Sequence, residues 1–338
     1  MAATIDELIF LPFFRRISTD DIRNCVHLWS QVQVRTGAVL WEQGEAVEEL
    51  AVVTSGELVA TLGGTEVGRV LPAEIVGEAS AFLAGSRRSA TLTARKETTL
   101  LTLSVKSLLE LRRRKNPMYE ALLEQALLAL VRRIRNTDQR IALVAEGGQK
   151  APIRTEPSAL VRFWKTLRPG GPKTSAPLLA PILCQQPVLK NASPEAIEEL
   201  SKAFVAEAVE EGQILFLEGE QGNCSYLIGE GQIDVLRNVR GQKAELLASL
   251  KEGSQFGINT LVEKGSRTAS CVAAHAGWVF RMDEAAYRQI PGEARLAWRE
   301  CMLVSLSSQI RNANSALQRA VPSVKREHAE EPDRFQNL

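Results

Sequence analysis

A nine-residue pattern occurs twice in this chain, and no other feature constrains the fold as much. Gly37 to Glu45 reads Gly-Ala-Val-Leu-Trp-Glu-Gln-Gly-Glu, and Gly212 to Glu220 repeats its glycines, apolar run and closing acid in the second half of the chain. Tyr226-Leu227-Ile228 and Gly231 then match Val52 and Gly56 at the same offset. A chain of 338 residues that repeats one pattern at this distance folds twice, and each half is long enough to bury a core of its own. Within the first copy short apolar runs alternate with glycine turns from Val32 to Ser104. Ala38 to Trp41 precedes Gln43-Gly44-Glu45, Leu50 to Thr54 precedes Ser55-Gly56-Glu57, and Leu58 to Leu62 precedes the hairpin glycines Gly63-Gly64 and the run Val67 to Val70. Short strands with such closely and evenly spaced turns make a barrel or jelly roll. The expected fold is mainly β with α: two β-rolls, each flanked by helices and followed by a C-terminal helix.

The chemistry concentrates in Val76 to Leu92. Gly77 lets the backbone approach a ligand closely, and the turn after it offers the unpaired N–H groups of a helix start, which suit a phosphate. Arg88 supplies a forked, permanently charged partner for the same anion, and Ser89 one more donor. Glu78 beside a bound anion requires a neutral hydroxyl to accept from, such as a ribose hydroxyl. The alternative is that Glu78 and Arg88 form an ion pair within the loop.

Gly77-Glu78, the ten-residue step from acid to arginine, and Arg88-Ser89-Ala90 together resemble the phosphate-binding cassette of cyclic nucleotide-binding domains, most closely that of the bacterial catabolite activators. The resemblance implies that Val76, Gly77, Glu78 and Ala79 line the sugar-phosphate, with Glu78 on the ribose 2′-hydroxyl and Arg88 and Ser89 on the cyclic phosphate. Ala79 stands where the family usually has leucine. The rolls are then the jelly-roll barrels of cyclic nucleotide-binding domains. Arginine followed by serine resembles the cyclic AMP pattern, so cAMP is the expected ligand and cGMP the alternative. No further cofactor is expected.

Leu123, Leu127, Leu130, Ile134, Thr137 and Ile141 recur at steps of four and three, the seam of a coiled coil. Thr137 is its polar member. The pattern Arg132-Arg133-Ile134-Arg135-Asn136-Thr137-Asp138 resembles the catabolite-activator helix whose Thr-Ser pair meets the adenine. By that resemblance Thr137 touches the purine and Arg133 reaches the cassette, while Asp138 replaces the serine. The seam returns in the second copy, where Leu303, Leu306, Ile310, Ala313 and Leu317 match Leu127, Leu130, Ile134, Thr137 and Ile141 in turn. An intrachain pseudo-dimer or a homodimer is therefore expected through these helices.

The second copy departs at its ligand groups. Gly257, Arg267 and Thr268 repeat the cassette, but Ile258 occupies the acid's position and Ala313 that of Thr137. Losing a hydrogen bond at a desolvated site costs about 1 to 3 kcal/mol, so this second site is expected to be weak or empty. Arg267-Thr268 resembles a pattern associated with cGMP.

Residues 4 to 31 read as helical, with Ser18 capping a helix that opens at Thr19. Arg15-Arg16-Ile17-Ser18 has the look of a basophilic kinase site but equally suits the helical entry of the family. Arg112 to Lys115 reads as a solvated basic helix face. The boundaries expected are a first domain over 1–145, a Pro/Gly-rich linker over 146–181 holding a short amphipathic turn at 158–167, a second domain over 182–321 and a disordered tail over 322–338. A net charge of +1 argues against a chain devoted to nucleic acid, and neither a long unbroken apolar run nor a signal-peptide pattern is present, so no nucleic acid and no membrane partner are expected. Five scattered cysteines without a Cys-x-x-Cys pair indicate neither a disulfide framework nor a metal site. With no Walker loop, kinase signature or nucleophile-base pair, the expectation is a cytoplasmic, non-enzymatic sensor that signals through a protein effector the sequence does not name. The rival is a ligand-independent scaffold built on the same two rolls. A kinase regulatory subunit fits less well, for want of a docking helix pair and an inhibitor segment.

Overall fold

The computed structural model describes residues 1–83, 85–145, 175–238 and 244–320. The amphipathic turn at 158–167, most of the linker and the tail over 322–338 lie outside the described residues. The chain opens with α1 (Ile5–Ile9), a 3-10 turn at Pro12–Phe14, α2 (Thr19–Cys25) and a second 3-10 turn ending at Leu28. Ser18 does cap α2: its Oγ accepts from the Asp21 amide at 3.1 Å and donates to the Asp21 carboxylate at 2.6 Å. The helical reading of 4 to 31 runs too far. Trp29 begins a strand, because Trp29 and Val34 are buried ends of a segment that pairs along its whole length with 98–103.

Eight strands build the first roll: β1 (Trp29–Val34), β2 (Val39–Trp41), β3 (Glu49–Ser55), β4 (Leu58–Leu62), β5 (Thr65–Val70), β6 (Ile75–Val76), β7 (Thr91–Ala94) and β8 (Thr98–Ser104). They form two antiparallel four-stranded sheets, in the orders β1-β8-β3-β6 and β2-β7-β4-β5. Gly63 and Gly64, both at positive φ, close the β4–β5 hairpin with the two-residue turn that matches strand twist. The period of two explains why β3 is an unbroken apolar run. Ala51 and Val53 enter the roll interior with Trp41, Leu58, Val76 and Leu100, whereas Leu50 and Val52 face the helices.

Between β6 and β7 lies α3 (Glu78–Ala81), and after β8 come α4 (Val105–Arg113) and the long α5 (Pro117–Ala145). The second copy begins with α6 (Leu179–Cys184), which straddles the end of the stretch read from sequence as linker, and α7 (Pro194–Ser201), capped by Ser193. Its roll contains β9 (Val205–Val209), β10 (Ile214–Phe216), β11 (Gln221–Gly222), β12 (Cys224–Asn238), β13 (Ala244–Lys251), β14 (Gln255–Phe256), β15 (Gly265–Ser266) and β16 (Ser270–Asp283). Here β12 is one long strand where the first copy has β3 and β4, and register shifts beside Gly229 and Gly231 let it bend. Helix α8 (Ile258–Val262) follows β14, and α9 (Glu284–Gln289) and α10 (Gly292–Ala320) close the copy.

The two seam helices pair within one chain. Leu123, Leu127, Leu130 and Ile134 of α5 share a single apolar cluster with Leu303, Leu306 and Ile310 of α10, and that cluster continues into the helices of both copies. A buried polar group fastens the same junction. Glu300 of α10 accepts from Arg112 at 2.6 and 2.9 Å and from the Tyr119 hydroxyl at 2.6 Å. Arg112 is therefore not part of a purely solvated basic face. It lies at the end of α4 nearest α10, and a carboxylate from the other copy claims its fork.

Candidate functional site

Gly77 caps α3 at φ 83° and is left-handed for a reason: a Cβ there would lie 2.6 Å from Arg88 Nη1 and 3.1 Å from the Trp41 ring. The glycine brings three groups to one place. Glu78, the first residue of α3, is fully buried, and its Oε1 accepts from Arg133 of α5 at 2.5 Å. Arg133 also donates to the Ile75 carbonyl at 2.7 Å, which fixes α5 against the cassette. Glu78 Oε2 is buried without a hydrogen-bond partner.

Arg88 is held in place by its backbone, which bonds to Glu45 O and Gly44 N at 2.9 Å each, and its guanidinium lies 3.3 Å over the Trp41 ring. The side chain is buried, yet Nε and Nη1 have no hydrogen-bond partner. Burial pushes its pKa down to about 10, against the opposing pull of Glu49, Glu45, Glu78 and Glu48. The loop ion pair of Glu78 with Arg88 is not the arrangement found; Arg133 takes the carboxylate.

These residues line one cleft. Val76, Gly77, Glu78, Ala79, Arg88 and Ser89 form its cassette end, Ala60, Val67, Val70 and Leu92 an apolar wall, and Arg133, Asn136 and Thr137 the α5 side. Thr137 is buried and donates to Asn314 Oδ1 at 3.4 Å. Asn314 and Ile310, both on α10, complete the lining, so the second copy closes the first copy's cleft. Sequence reasoning named Val76 to Ala79, Arg88 and Ser89 but missed Trp41, Ile310 and Asn314. Asn314 carried a signal: it is the counterpart of Asp138 in the repeat, one position beyond the Ala313 on which the seam comparison fixed.

The second cassette is built differently. Gly257 is again left-handed, at φ 73°, and Ile258 is buried in the position of Glu78. Arg267 lies over Phe216 at 4.0 Å but spends its fork internally. Nη1 donates to Cys224 O at 2.9 Å, Gly257 O at 3.0 Å and Thr260 Oγ1 at 2.7 Å, while Nη2 reaches Cys224 Sγ at 3.1 Å. Thr268 is half-buried and accepts from Asn259 at 3.5 Å. Helix α5 also clamps this copy: Arg132 and Arg135 bind the Glu263 carboxylate at 2.8 and 2.9 Å, and Asp138 meets the buried Arg237 at 2.5 Å. Burial raises the Asp138 carboxyl to about 6 even against Arg237.

The family model for the cyclic nucleotide-binding domain matches residues 31–115 and 206–292. The cyclic AMP receptor protein of Thermus thermophilus is 30% identical over 87 residues, which are 26% of this chain and 40% of that protein. The cGMP-dependent protein kinase egl-4 of Caenorhabditis briggsae is 19% identical over 283 residues, 83% of this chain and 30% of the kinase. The chain thus spans two fifths or less of the length of these curated relatives. Among solved structures, the regulatory domain of Toxoplasma gondii PKA with cAMP is 17% identical, covers 86% of this chain and 92% of its own, and superposes with a TM-score of 0.32. Among the described residues no helix is long and apolar enough to cross a membrane.

Proposed function

The chain belongs to the cyclic nucleotide-binding domain family, and from that membership we propose that it is a regulatory protein whose first domain, 1–145, binds a cyclic purine nucleotide, cAMP on the present reading. The second domain, 182–321, is degenerate as a site and serves as the partner of the first. The protein acts in the cytoplasm, has no reaction of its own and signals through a protein effector.

One contrast carries this reading. Arg88 keeps two buried donors, Nε and Nη1, without partners beside a carboxylate oxygen that also lacks one, whereas at Arg267 both terminal nitrogens are bonded, to Cys224, Gly257 and Thr260, and Nε alone lacks a partner. Buried polar groups are nearly always hydrogen-bonded, so the first set is incomplete without a ligand that both accepts and donates. A ribose cyclic phosphate does both: its anionic oxygens accept from Arg88 and Ser89, and its 2′-hydroxyl donates to Glu78. Arg133 neutralises Glu78 in the meantime and ties the cassette to α5. A ligand touching both α3 and α5 stabilises whichever of their arrangements it fits, and that shift is what an effector would read. The five cysteines are free thiols, in keeping with a reducing compartment.

Calorimetric titration of the stripped full-length chain with cAMP and with cGMP tests the proposal. One nucleotide per chain, abolished in Arg88→Ala and retained in Arg267→Ala, is the expected result. Absence of heat with both nucleotides would sink the sensor and leave the scaffold.

A further inference from the structure

Both cassettes seat their arginine in the same kind of slot, between a left-handed glycine and an aromatic ring. A Cβ on Gly77 would lie 2.6 Å from Arg88 Nη1 and 3.1 Å from the Trp41 ring, and one on Gly257 would lie 2.7 Å from Arg267 Nη1. Trp41 and Phe216 correspond in the repeat, and the two guanidinium carbons lie over their rings at 3.3 and 4.0 Å. The forks then part. Arg267 turns inward and gives Nη1 to Cys224 O, Gly257 O and Thr260 Oγ1. The first copy offers counterparts of all three, since Glu49, Gly77 and Ser80 stand where Cys224, Gly257 and Thr260 do. Arg88 Nε and Nη1 nevertheless bond to none of them, and Ser80 Oγ donates to Arg87 O at 3.1 Å.

An arginine in this slot therefore has two arrangements open to it, and hydrogen bonding alone favours the inward one, because buried donors seek acceptors. The group that opposes the inward turn at Arg88 is the indole. Tryptophan is the best of the aromatic partners for a cation, better than the phenylalanine at the same position of the second copy. The ring is also fixed without any ligand: Trp41 is 6% exposed, lies at a register shift of β2 against β7, and shares the roll core with Val76, Leu92 and Leu100. We infer that Trp41 is a positioning residue of the first site, whose indole face holds the Arg88 guanidinium with its donors free for a phosphate and keeps the fork from turning inward as that of Arg267 does. The inference rests on the cyclic-nucleotide reading of the cleft. An arginine already held in its binding position spares the ligand the cost of recruiting it from another. Trp41 acts through Arg88 and not on the base, so its contribution is the same for either purine.

The test is isothermal titration of the full chain, freed of bound nucleotide, with cAMP and cGMP, comparing wild type, Trp41→Phe and Trp41→Leu, with a melting curve of each. A cation–π contact corresponds to about a 2- to 30-fold change in an equilibrium constant. Trp41→Leu is expected to weaken every nucleotide that wild type binds by one common factor, about 5- to 30-fold, whereas Trp41→Phe, which keeps a ring face, stays within about threefold of wild type. Arginine-selective isotope labelling gives a second readout by NMR. The Arg88 Nε–H signal, assigned by its absence in Arg88→Met, should be shifted upfield by the indole in ligand-free wild type, less so in Trp41→Phe and not in Trp41→Leu. This signal is read on wild type, so it decides even where the leucine variant folds poorly. Equal losses in the two variants would mean that the ring only packs the roll, unchanged affinity in Trp41→Leu that Arg88 needs no platform, and an unshifted wild-type signal that the indole does not hold it. Each of these overturns the inference while leaving the site intact. A wild type that binds neither nucleotide removes the underlying reading and this inference with it.

Discussion

Replacing Arg88 by methionine should make the ligand-free protein more stable while abolishing its response to nucleotide. The two unpartnered donors, Nε and Nη1, are each buried, and a buried polar group without a partner costs about 1–3 kcal/mol, so the pair costs about 2–6 kcal/mol. Against this stand the contact of the guanidinium with Trp41 at 3.3 Å, worth up to about 2 kcal/mol, and the attraction of Glu45, Glu48, Glu49 and Glu78, which adds about 1 kcal/mol at most because Glu45 and Glu48 are exposed and Glu78 is already paired with Arg133. Methionine retains most of the stem, covers Trp41 with a polarizable thioether and needs no partner. With the middle of each range, about 4 kcal/mol against about 2, the balance is a gain of about 2 kcal/mol, or a rise in melting temperature of roughly 4–8 °C for a domain of this size. Wild type in cAMP at 100 times its dissociation constant should gain about 2.7 kcal/mol, and the variant nothing. Scanning calorimetry with and without nucleotide reads both effects in one experiment. If the ligand-free variant melts below wild type, Arg88 is a structural group held by its carboxylate neighbours, and the case for an incomplete, ligand-seeking site fails.

The matching substitution in the second copy should have the opposite sign. Arg267→Met removes bonds to Cys224 O, Gly257 O and Thr260 Oγ1, of which Gly257 O and Thr260 Oγ1 keep the bond between them, so a loss of about 1–3 kcal/mol is expected in a denaturant melt, with unchanged nucleotide affinity. Glu300→Gln weakens the bidentate bond to Arg112 and the bond from Tyr119, whose phenol burial already disfavours ionising; about 1–3 kcal/mol should be lost, and an unchanged melt would show that the apolar seam alone holds the copies together. Asp138 should make stability depend on pH. Its folded pKa, near 6, lies above the ordinary 3.8, so the folded state binds the proton more tightly, and the contribution, at most about 3 kcal/mol, is present below pH 4 and lost as pH rises to 6. Asp138→Asn should flatten the stability profile between those values, and an unaltered slope would assign it to other groups.

What could be read from the sequence was whatever depends on local chemistry. Gly77 and Gly257 were read as places where the backbone approaches a ligand, and the structure adds that both have positive φ. Ser18 was legible as a cap, and the steps of four and three in α5 as a packed stripe. The resemblance implied that Arg133 reaches the cassette, and its guanidinium bonds Glu78 there. Two of the misses are matters of which distant group arrives first. Nothing near Arg112 announces Glu300, and nothing near Arg267 announces that Cys224 O and Thr260 will take its fork before a phosphate could. Trp29 was lost to the helix reading because one strand at the roll's edge leaves only two buried residues in six, too few to stand out from the helical stretch before it.

The intrachain seam explains why the copies could diverge at all. In a symmetric dimer an isologous interface repeats every substitution, so a residue that plugs one cleft plugs both. Here the two helices belong to one chain, and each serves both rolls. Helix α5 gives Thr137 and Arg133 to the first cleft but Arg132, Arg135 and Asp138 to the second roll, while α10 returns Ile310 and Asn314 to the first. Asp138 and Asn314 occupy corresponding positions and have become a salt-bridge partner and a cleft-lining amide, respectively. Ala313 does not line the first cleft, so the absence of a threonine hydroxyl there costs that cleft nothing. Ile258 stands at the position of Glu78 in the second copy without cost to the first cleft, because what that cleft draws from the second copy is a correctly placed α10, and the Arg112–Glu300–Tyr119 network and the shared apolar cluster are the contacts that place it.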